Sequence, residues 1–354
     1  MSKARFSLSI PKTSIFLLIL SFCICSLFLG CTDSKTKDGF KVAMLLPSSI
    51  TDGGWNQLAY EGLQAIETEL DAKIGYVESP TPSEQAEHFR HYAADGYDLI
   101  FGHGYEYQGP AIKVAPDFPN TIFITSSGGT TTDNIAPVNF RIEQPAYLMG
   151  IIAGMMAKEG KIGTIGGENI NSIKSTFMAF EAGAKSVNPN IDVRNVYVGN
   201  WHDAGKGKEL CVQLINEGVD FLFPNADAAG LGAYYAAEDA QKEGNKVYTF
   251  GVNRDKSEIS PTTVLANGVI TPKAFVKVAK LVKDAKENQN KVFKTKLFTF
   301  NMITDEAISF NYNPEMKDQI PKEVIDAVAK AKAQILSGKL EVPQIDFTNK
   351  ANEE

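Results

Sequence analysis

Short apolar runs alternate with amphipathic stretches from about residue 40 onward. Candidate strands at 41–47, 97–102, 121–126, 161–166, 193–199, 219–225 and 246–252 are mostly short, continuously apolar and closed by Gly, Ser, Asn or Pro. Runs of this length predict strands buried on both faces, as in parallel sheets. Between them the period changes. Leu58, Leu63, Ile66 and Leu70 line one face of a helix predicted over 55–70. A second helix is predicted from near Ser83 to Gly96, and a third after Pro110. Residues 145–157 are apolar all round but too few to span a bilayer. They predict a buried helix with Pro145 at its first position and Gly160 past its end. Strand–helix alternation implies right-handed βαβ units and an α/β fold class. It comes in two runs, before and after 144–160, which predicts two lobes. Parallel sheets bind ligands outside their strand C-termini, so a crevice shared by the lobes is the expected site.

The first 30 residues follow another pattern. Lys3, Arg5 and Lys12 make a basic head, 15–29 are apolar, and Gly30-Cys31 leads into a polar stretch ending at Gly39. This predicts a secretory signal over 1–30 and a linker over 31–39. Leu27-Phe28-Leu29-Gly30-Cys31 resembles a bacterial lipobox. That likeness implies cleavage before Cys31, lipidation of Cys31 and a protein exported and tethered to a membrane surface.

Composition narrows the classes further. The 354 residues are 44% hydrophobic and 22% charged, values of a globular chain. A formal net charge of −7, before a basic signal is removed, argues against a nucleic-acid partner. Of the cysteines, Cys23, Cys25 and Cys31 lie at the N-terminus and Cys211 stands alone in a helical apolar pattern. A disulfide scaffold and a four-cysteine metal site are therefore not expected. His88 and His91, with Glu84 and Glu87 nearby, lack a third ligand at metal spacing. The stretch 199–206 fails as a phosphate loop, since position 204 is Ala and Lys206 is followed by Gly207. Gly102 and Gly104 do not spell the dinucleotide fingerprint, which needs Gly where Tyr107 stands. No nucleophile elbow occurs, so neither catalysis, cofactor nor metal is expected.

An ordered set of motifs is more specific than any one of these. Lys41-Val-Ala-Met-Leu-Leu-Pro47, Asp52-Gly-Gly-Trp-Asn-Gln57 and Tyr60-Glu-Gly-Leu63 open it. Val138-Asn-Phe-Arg-Ile-Glu-Gln-Pro-Ala-Tyr-Leu-Met-Gly150, Lys161-Ile-Gly-Thr-Ile-Gly-Gly167, Phe180-Glu-Ala-Gly-Ala184, Trp201-His-Asp203 and Gly251-Val-Asn-Arg-Asp255 follow. Together they resemble the basic membrane protein family, substrate-binding lipoproteins of ABC importers related to purine nucleoside receptors. The likeness covers most of 40–275 and is weaker beyond. It implies a type I periplasmic-binding-protein fold, two Rossmann-like lobes joined by three crossovers and closing on a ligand at a hinge. The expected lobes are 40–142 with about 268–302, and 143–267 with about 303–345. It further implies a monomer that takes a purine nucleoside or nucleobase and works with a separate permease and ATPase. A sensor subunit docking on a membrane receptor, or a receptor for another small polar aromatic ligand, are the alternatives.

Candidate ligand residues fall at predicted strand ends. Trp55 stands where the family's nucleoside receptors carry a stacking Phe; without the resemblance it reads as a Trp packing its helix onto the sheet. Asn56 offers a donor and an acceptor to a base edge, and Asp52 either accepts from the ligand or caps the helix. His103 and Gly104 sit in a Gly-rich loop, His103 facing either ligand or solvent. Ser126 and Ser127 fall where several relatives carry Asp. In the second half, Trp201 is placed to complete an aromatic sandwich with Trp55. Phe223, Asn225 and Asp227 end a strand, with Asp227 read as a ribose or amine acceptor or as a helix cap. Asn253 stands where nucleoside receptors have Asp, keeping an acceptor without the charge. Lys273 resembles a lysine that contacts ribose oxygens in relatives; its other reading is an ordinary surface lysine.

Overall fold

The first half of the chain lays down β1 (Lys41–Leu46), β2 (Lys73–Glu78), β3 (Leu99–Gly102), β4 (Ile122–Ser126) and β5 (Ile135–Phe140). The second adds β6 (Lys161–Gly166), β7 (Asp192–Tyr197), β8 (Phe221–Asn225), β9 (Tyr248–Asn253) and β10 (Val264–Ile270), and β11 (Phe298–Phe300) and β12 (Ile308–Tyr312) come last. They form two six-stranded sheets, ordered β11-β5-β4-β3-β1-β2 and β12-β10-β9-β8-β6-β7. The first is parallel throughout; in the second only β12 runs antiparallel, against β10. This is a computed structural model, and it describes residues 39–78, 81–288, 291–303 and 307–346. The expected signal, Cys31 and nearly all of the linker lie outside the described residues.

Helices connect the strands: α1 (Trp55–Leu70), α2 (Pro82–Ala94), α3 (Gln108–Val114), α4 (Glu143–Met156), α5 (Asn171–Val187), α6 (Ala204–Asn216), α7 (Leu231–Lys242), α8 (Lys273–Glu287) and α9 (Lys322–Leu336). Local chemistry sets their ends. Thr81 and Glu84 cap α2 reciprocally, with Pro82 at the first position. The buried helix α4 begins at Glu143, two residues earlier than the sequence predicts, and ends at Met156 rather than running toward Gly160. Pro145 is tolerated there because the N–H groups of a first turn have no intrahelical partner. Likewise α3 opens at Gln108, before Pro110. None of the helices among the described residues is long and apolar enough to cross a membrane.

Register brings the strand-end loops to one side. Leu45 pairs with Gly102 and Gly102 with Thr125, so the loops after β1, β3 and β4 leave the same end of sheet 1. In sheet 2, Gly166 pairs with Asn225 and Asn253 with Val269, which groups the ends of β6, β8, β9 and β10. The chain passes between sheets after β5, after β10 and after β11. These passages are bonded to one another: Arg141 N–H donates to Phe300 O and Thr271 N–H to Ala307 O, each at 2.8 Å. One apolar core reaches both sheets, with Met44, Phe101, Phe223 and Phe250 among its buried members. Below, lobe 1 means sheet 1 and its helices, and lobe 2 means sheet 2 and its helices.

Candidate functional site

Strand C-termini of both lobes surround a cavity of about 120 Å³. A single water needs roughly 10–15 Å³ on the same footing, so the space suits a small organic molecule. Lobe 1 lines it with Pro47, Ser48, Trp55, Asn56, Gly104, Tyr105, Glu106, Ser127 and Phe140. Lobe 2 and the first passage contribute Ile142, Glu143, Ile170, Ser172, Ile173, Thr176, Trp201, Asn225, Asp227, Asn253 and Ile270. Eight residues singled out in the sequence therefore meet here: Trp55, Asn56, Gly104, Ser127, Trp201, Asn225, Asp227 and Asn253.

Trp55 opens α1 and is held from behind. Its ring stacks on His103 at 4.0 Å and 22°, and meets Phe140 edge-on at 5.8 Å. Its indole Nε1–H donates to the His103 carbonyl at 3.3 Å. The imidazole is fully buried, and burial pushes its pKa down to about 3, so His103 is neutral. Nε2 lies 3.0 Å from the Trp55 carbonyl, which only accepts, so the proton sits on Nε2. Nδ1 then accepts from Ser126 Oγ at 2.9 Å. His103 and Ser126 thus stand behind the aromatic wall, outside the lining. Ser127, the next residue, lines the cavity instead.

Asp52 is a cap. Its Oδ1 accepts from the backbone N–H of Gly54 and Gln57, and its Oδ2 from the backbone N–H and side-chain Nδ2 of Asn56. Phe223 is wholly buried and stacks on Phe180 at 4.8 Å, two residues deeper than Asn225 at the strand end. Lys273 opens α8, exposed and away from the lining.

In lobe 2, Trp201 lies against Gly167, where a Cβ would collide with its ring. Asp227 and Asn253 both adopt left-handed backbone, with φ of 47° and 65°, and Ser127 across the cavity does the same at 59°. Such strain collects at ligand sites. Asp227 also crosses to lobe 1, its Oδ1 accepting Trp55 N–H at 3.3 Å. A Cβ at Gly54 would sit 2.9 Å from that oxygen, so any side chain there would have to push the carboxylate aside. Burial first, and then the charge of Asp52, raise the Asp227 pKa to about 7, opposed by the Trp55 N–H and by Lys256. Lys256 donates to Gly53 O of lobe 1, and burial lowers its pKa to about 8. A third link is an ion pair, Arg254 Nη2 to Glu61 Oε1 at 2.6 Å. The structure thus has its lobes drawn together around the cavity.

Glu106, Phe140 and Glu143 escape the sequence reading. Burial raises the carboxyl pKa of Glu106 and of Glu143, the latter against the Ser175 hydroxyl bond and Arg141. Phe140 and Glu143 follow directly from treating 135–140 as a strand, whose end would then face the crevice. Among the described residues no cluster of His, Cys, Asp and Glu is arranged to hold a metal. Cys211 is buried and its thiol is pushed up to about 12, the state of an inert core residue.

Comparison with known proteins points the same way. Residues 40–346 match the Bmp family, described as PnrA-like ABC transporter substrate-binding protein. The chain is 30% identical over 327 residues to the ABC transporter nucleoside-binding protein BmpA of Lactococcus lactis subsp. cremoris, covering 88% of this chain and 91% of that one. It is 26% identical over 322 residues to basic membrane protein A of Borreliella afzelii, covering 89% and 96%. An ABC transporter solute-binding protein from Aeropyrum pernix K1 shares the fold, with a TM-score of 0.77 at 20% identity over 87% of this chain and 94% of that one.

Proposed function

The chain belongs to the Bmp family of PnrA-like ABC transporter substrate-binding proteins, and from that premise we propose that its cavity captures a purine nucleoside or free purine base. One observation carries the ligand class: two tryptophans, Trp55 from lobe 1 and Trp201 from lobe 2, line the same cavity beside Asn56, Asn225, Asp227 and Asn253. Aromatic faces bind planar bases by stacking, each stack being worth roughly 1–3 kcal/mol, while the amides and carboxyls meet ring and sugar polar groups. The relative named as nucleoside-binding supports this reading. The lobes move as bodies about the three passages near 142, 270 and 302, and the ligand favours the joined state by contacts it makes only there. A separate permease and ATPase then take the ligand inward. Export and a lipid anchor at Cys31 complete the reading, resting on the lipobox-like sequence.

Native mass spectrometry of the purified protein, followed by calorimetric titration with nucleosides and bases, tests the ligand. A purine retained in the native spectrum and bound on titration is expected; a protein that binds only sugars, or no base, overturns it. Fractionation of Cys31→Ala tests the anchor, and the variant is expected to leave the membrane fraction. Unchanged membrane association with an intact N-terminus would refute lipidation.

A further inference from the structure

Asn56 meets the cavity with only half of its side-chain amide. Its Nδ2 donates to Asp52 Oδ2 at 2.7 Å, and Asp52 is itself fixed by the backbone N–H groups of Gly54, Asn56 and Gln57. An amide held by its nitrogen turns its oxygen the other way. Asn56 is 1% exposed, lines the cavity, and its Oδ1 has no hydrogen-bond partner. A buried acceptor without a donor is a cost that a ligand can relieve.

Glu143 adds a second acceptor from the other side of the first passage. Ser175 Oγ accepts Ile345 N–H, so its own proton goes to Glu143 Oε1 at 2.6 Å. Oε2 makes no hydrogen bond within the protein; burial raises this carboxyl's pKa, and Arg141 Nε, 3.7 Å away, works against that. Glu106 and Asp227 bring further carboxyl oxygens, and among the described residues no lysine, arginine or histidine lines the cavity. The wall asks for donors.

We propose that the cavity selects an amino-substituted base over its oxo counterpart, with Asn56 reading the exocyclic NH2 and Asp52 acting as the positioning residue that fixes which end of the Asn56 amide is presented. This rests on the purine reading above and deepens it. An exocyclic amine supplies the N–H groups that Asn56 Oδ1 and Glu143 Oε2 lack; a carbonyl at the same position sets oxygen against oxygen. Sites built on hydrogen bonds reject a ligand that leaves them unpaired far more strongly than apolar pockets reject a changed shape.

Adenosine and inosine differ in this feature, an amine against a carbonyl with its ring N–H. Calorimetric titration should show adenosine binding about tenfold or more tighter than inosine. In Asp52→Asn the new amide nitrogen faces Asn56 Nδ2, so Asn56 turns over and shows its own N–H groups to the cavity; the preference should then shrink to within about threefold. Because Asp52 also caps α1, melting curves accompany this variant. Glu143→Gln, which places an N–H donor where an acceptor stood, provides a second test and should shift the ratio the same way. Inosine binding as tightly as adenosine in the unaltered protein would overturn the proposal, and so would a ratio that neither variant moves. If neither purine nucleoside binds, the purine reading falls. Cytidine against uridine then tests the amino preference alone, and equal or absent binding of that pair overturns it too.

Discussion

Lobe 1 meets the cavity with a wall that is braced before any ligand arrives: Trp55 on His103, His103 on Ser126, and Phe140 at the edge. Lobe 2 meets it with two strand ends in left-handed backbone, Asp227 and Asn253, against Ser127 alone in the lobe 1 lining, and with side chains that reach across to α1 and the loop before it. Both lobes are built from the same alternation of strand and helix, so the architecture does not account for the difference. It lies in what the strand-end loops carry. Lobe 1 supplies a braced aromatic face with Asn56 beside it, and lobe 2 supplies polar groups that cross to lobe 1, so their partners depend on the lobes being together.

Breaking the braced wall should have the largest effect. On the proposed purine reading, Trp55→Ala removes a stacking face, and purine affinity should fall by roughly 1–3 kcal/mol, about one to two decades in Kd. Calorimetry on the variant checks this. A protein that melts much earlier yet binds as well as the parent would assign Trp55 to packing alone.

The polar lobe should reveal itself through pH. With the lobes joined, Asp227 has its pKa raised from 3.8 to about 7 by burial and the Asp52 charge. On the proposed function, separating the lobes would turn it toward water, where it would ionise near the ordinary value. The joined state therefore holds the proton more tightly, and its advantage is complete below about pH 4 and lost as the pH rises through about 7. Lys256 titrates above this window with the opposite sign, its lowered pKa being about 8. Affinity should fall by one to two decades, at most about seventyfold, between pH 5 and 7.5, and Asp227→Asn should flatten most of that slope. A slope unchanged in the variant would shift the effect to Glu106 or Glu143, whose carboxyl pKa values burial also raises.

The smallest effect is expected at the outer link. Arg254 and Glu61 are a quarter to a third exposed, where an ion pair contributes about 0–1 kcal/mol. Arg254→Ala should weaken binding by no more than about fivefold at low salt, and the difference should fade at high ionic strength. A large loss that salt leaves untouched would mean that Arg254 does more than pair.

Much of this was legible in the chain. β1, β3, β4, β6, β8 and β9 are continuous apolar runs, and their polar last residues or following loops mark the cavity. β2 was not, because Lys73, Gly75 and Glu78 break its apolar run at a sheet edge. β5 carries Pro137 and β10 carries Asn267-Gly268, both of which read as interruptions. The structure accommodates the second by burying Asn267 with its amide bonded to Ser257 and Lys256. At the site, Trp55, Asn225 and Asp227 follow from the strand-end rule, whereas Ser126 and Ser127 are separated by a one-residue change of direction that the rule does not resolve. The links between the lobes are the least legible part. Gly53 and Lys256, or Glu61 and Arg254, are about 200 positions apart, and no local pattern joins them.

The left-handed residues also set terms for comparing variants of this protein. Ser127, Asp227 and Asn253 hold a backbone shape that glycine adopts with less strain, at a cost of about 1 kcal/mol or more for a residue with a Cβ. Drift under selection for folding alone would favour glycine at all three. If these residues serve the proposed site, a lineage that accepts glycine there would have kept the scaffold and released the ligand, whereas one that keeps the side chains would still be spending stability on recognition.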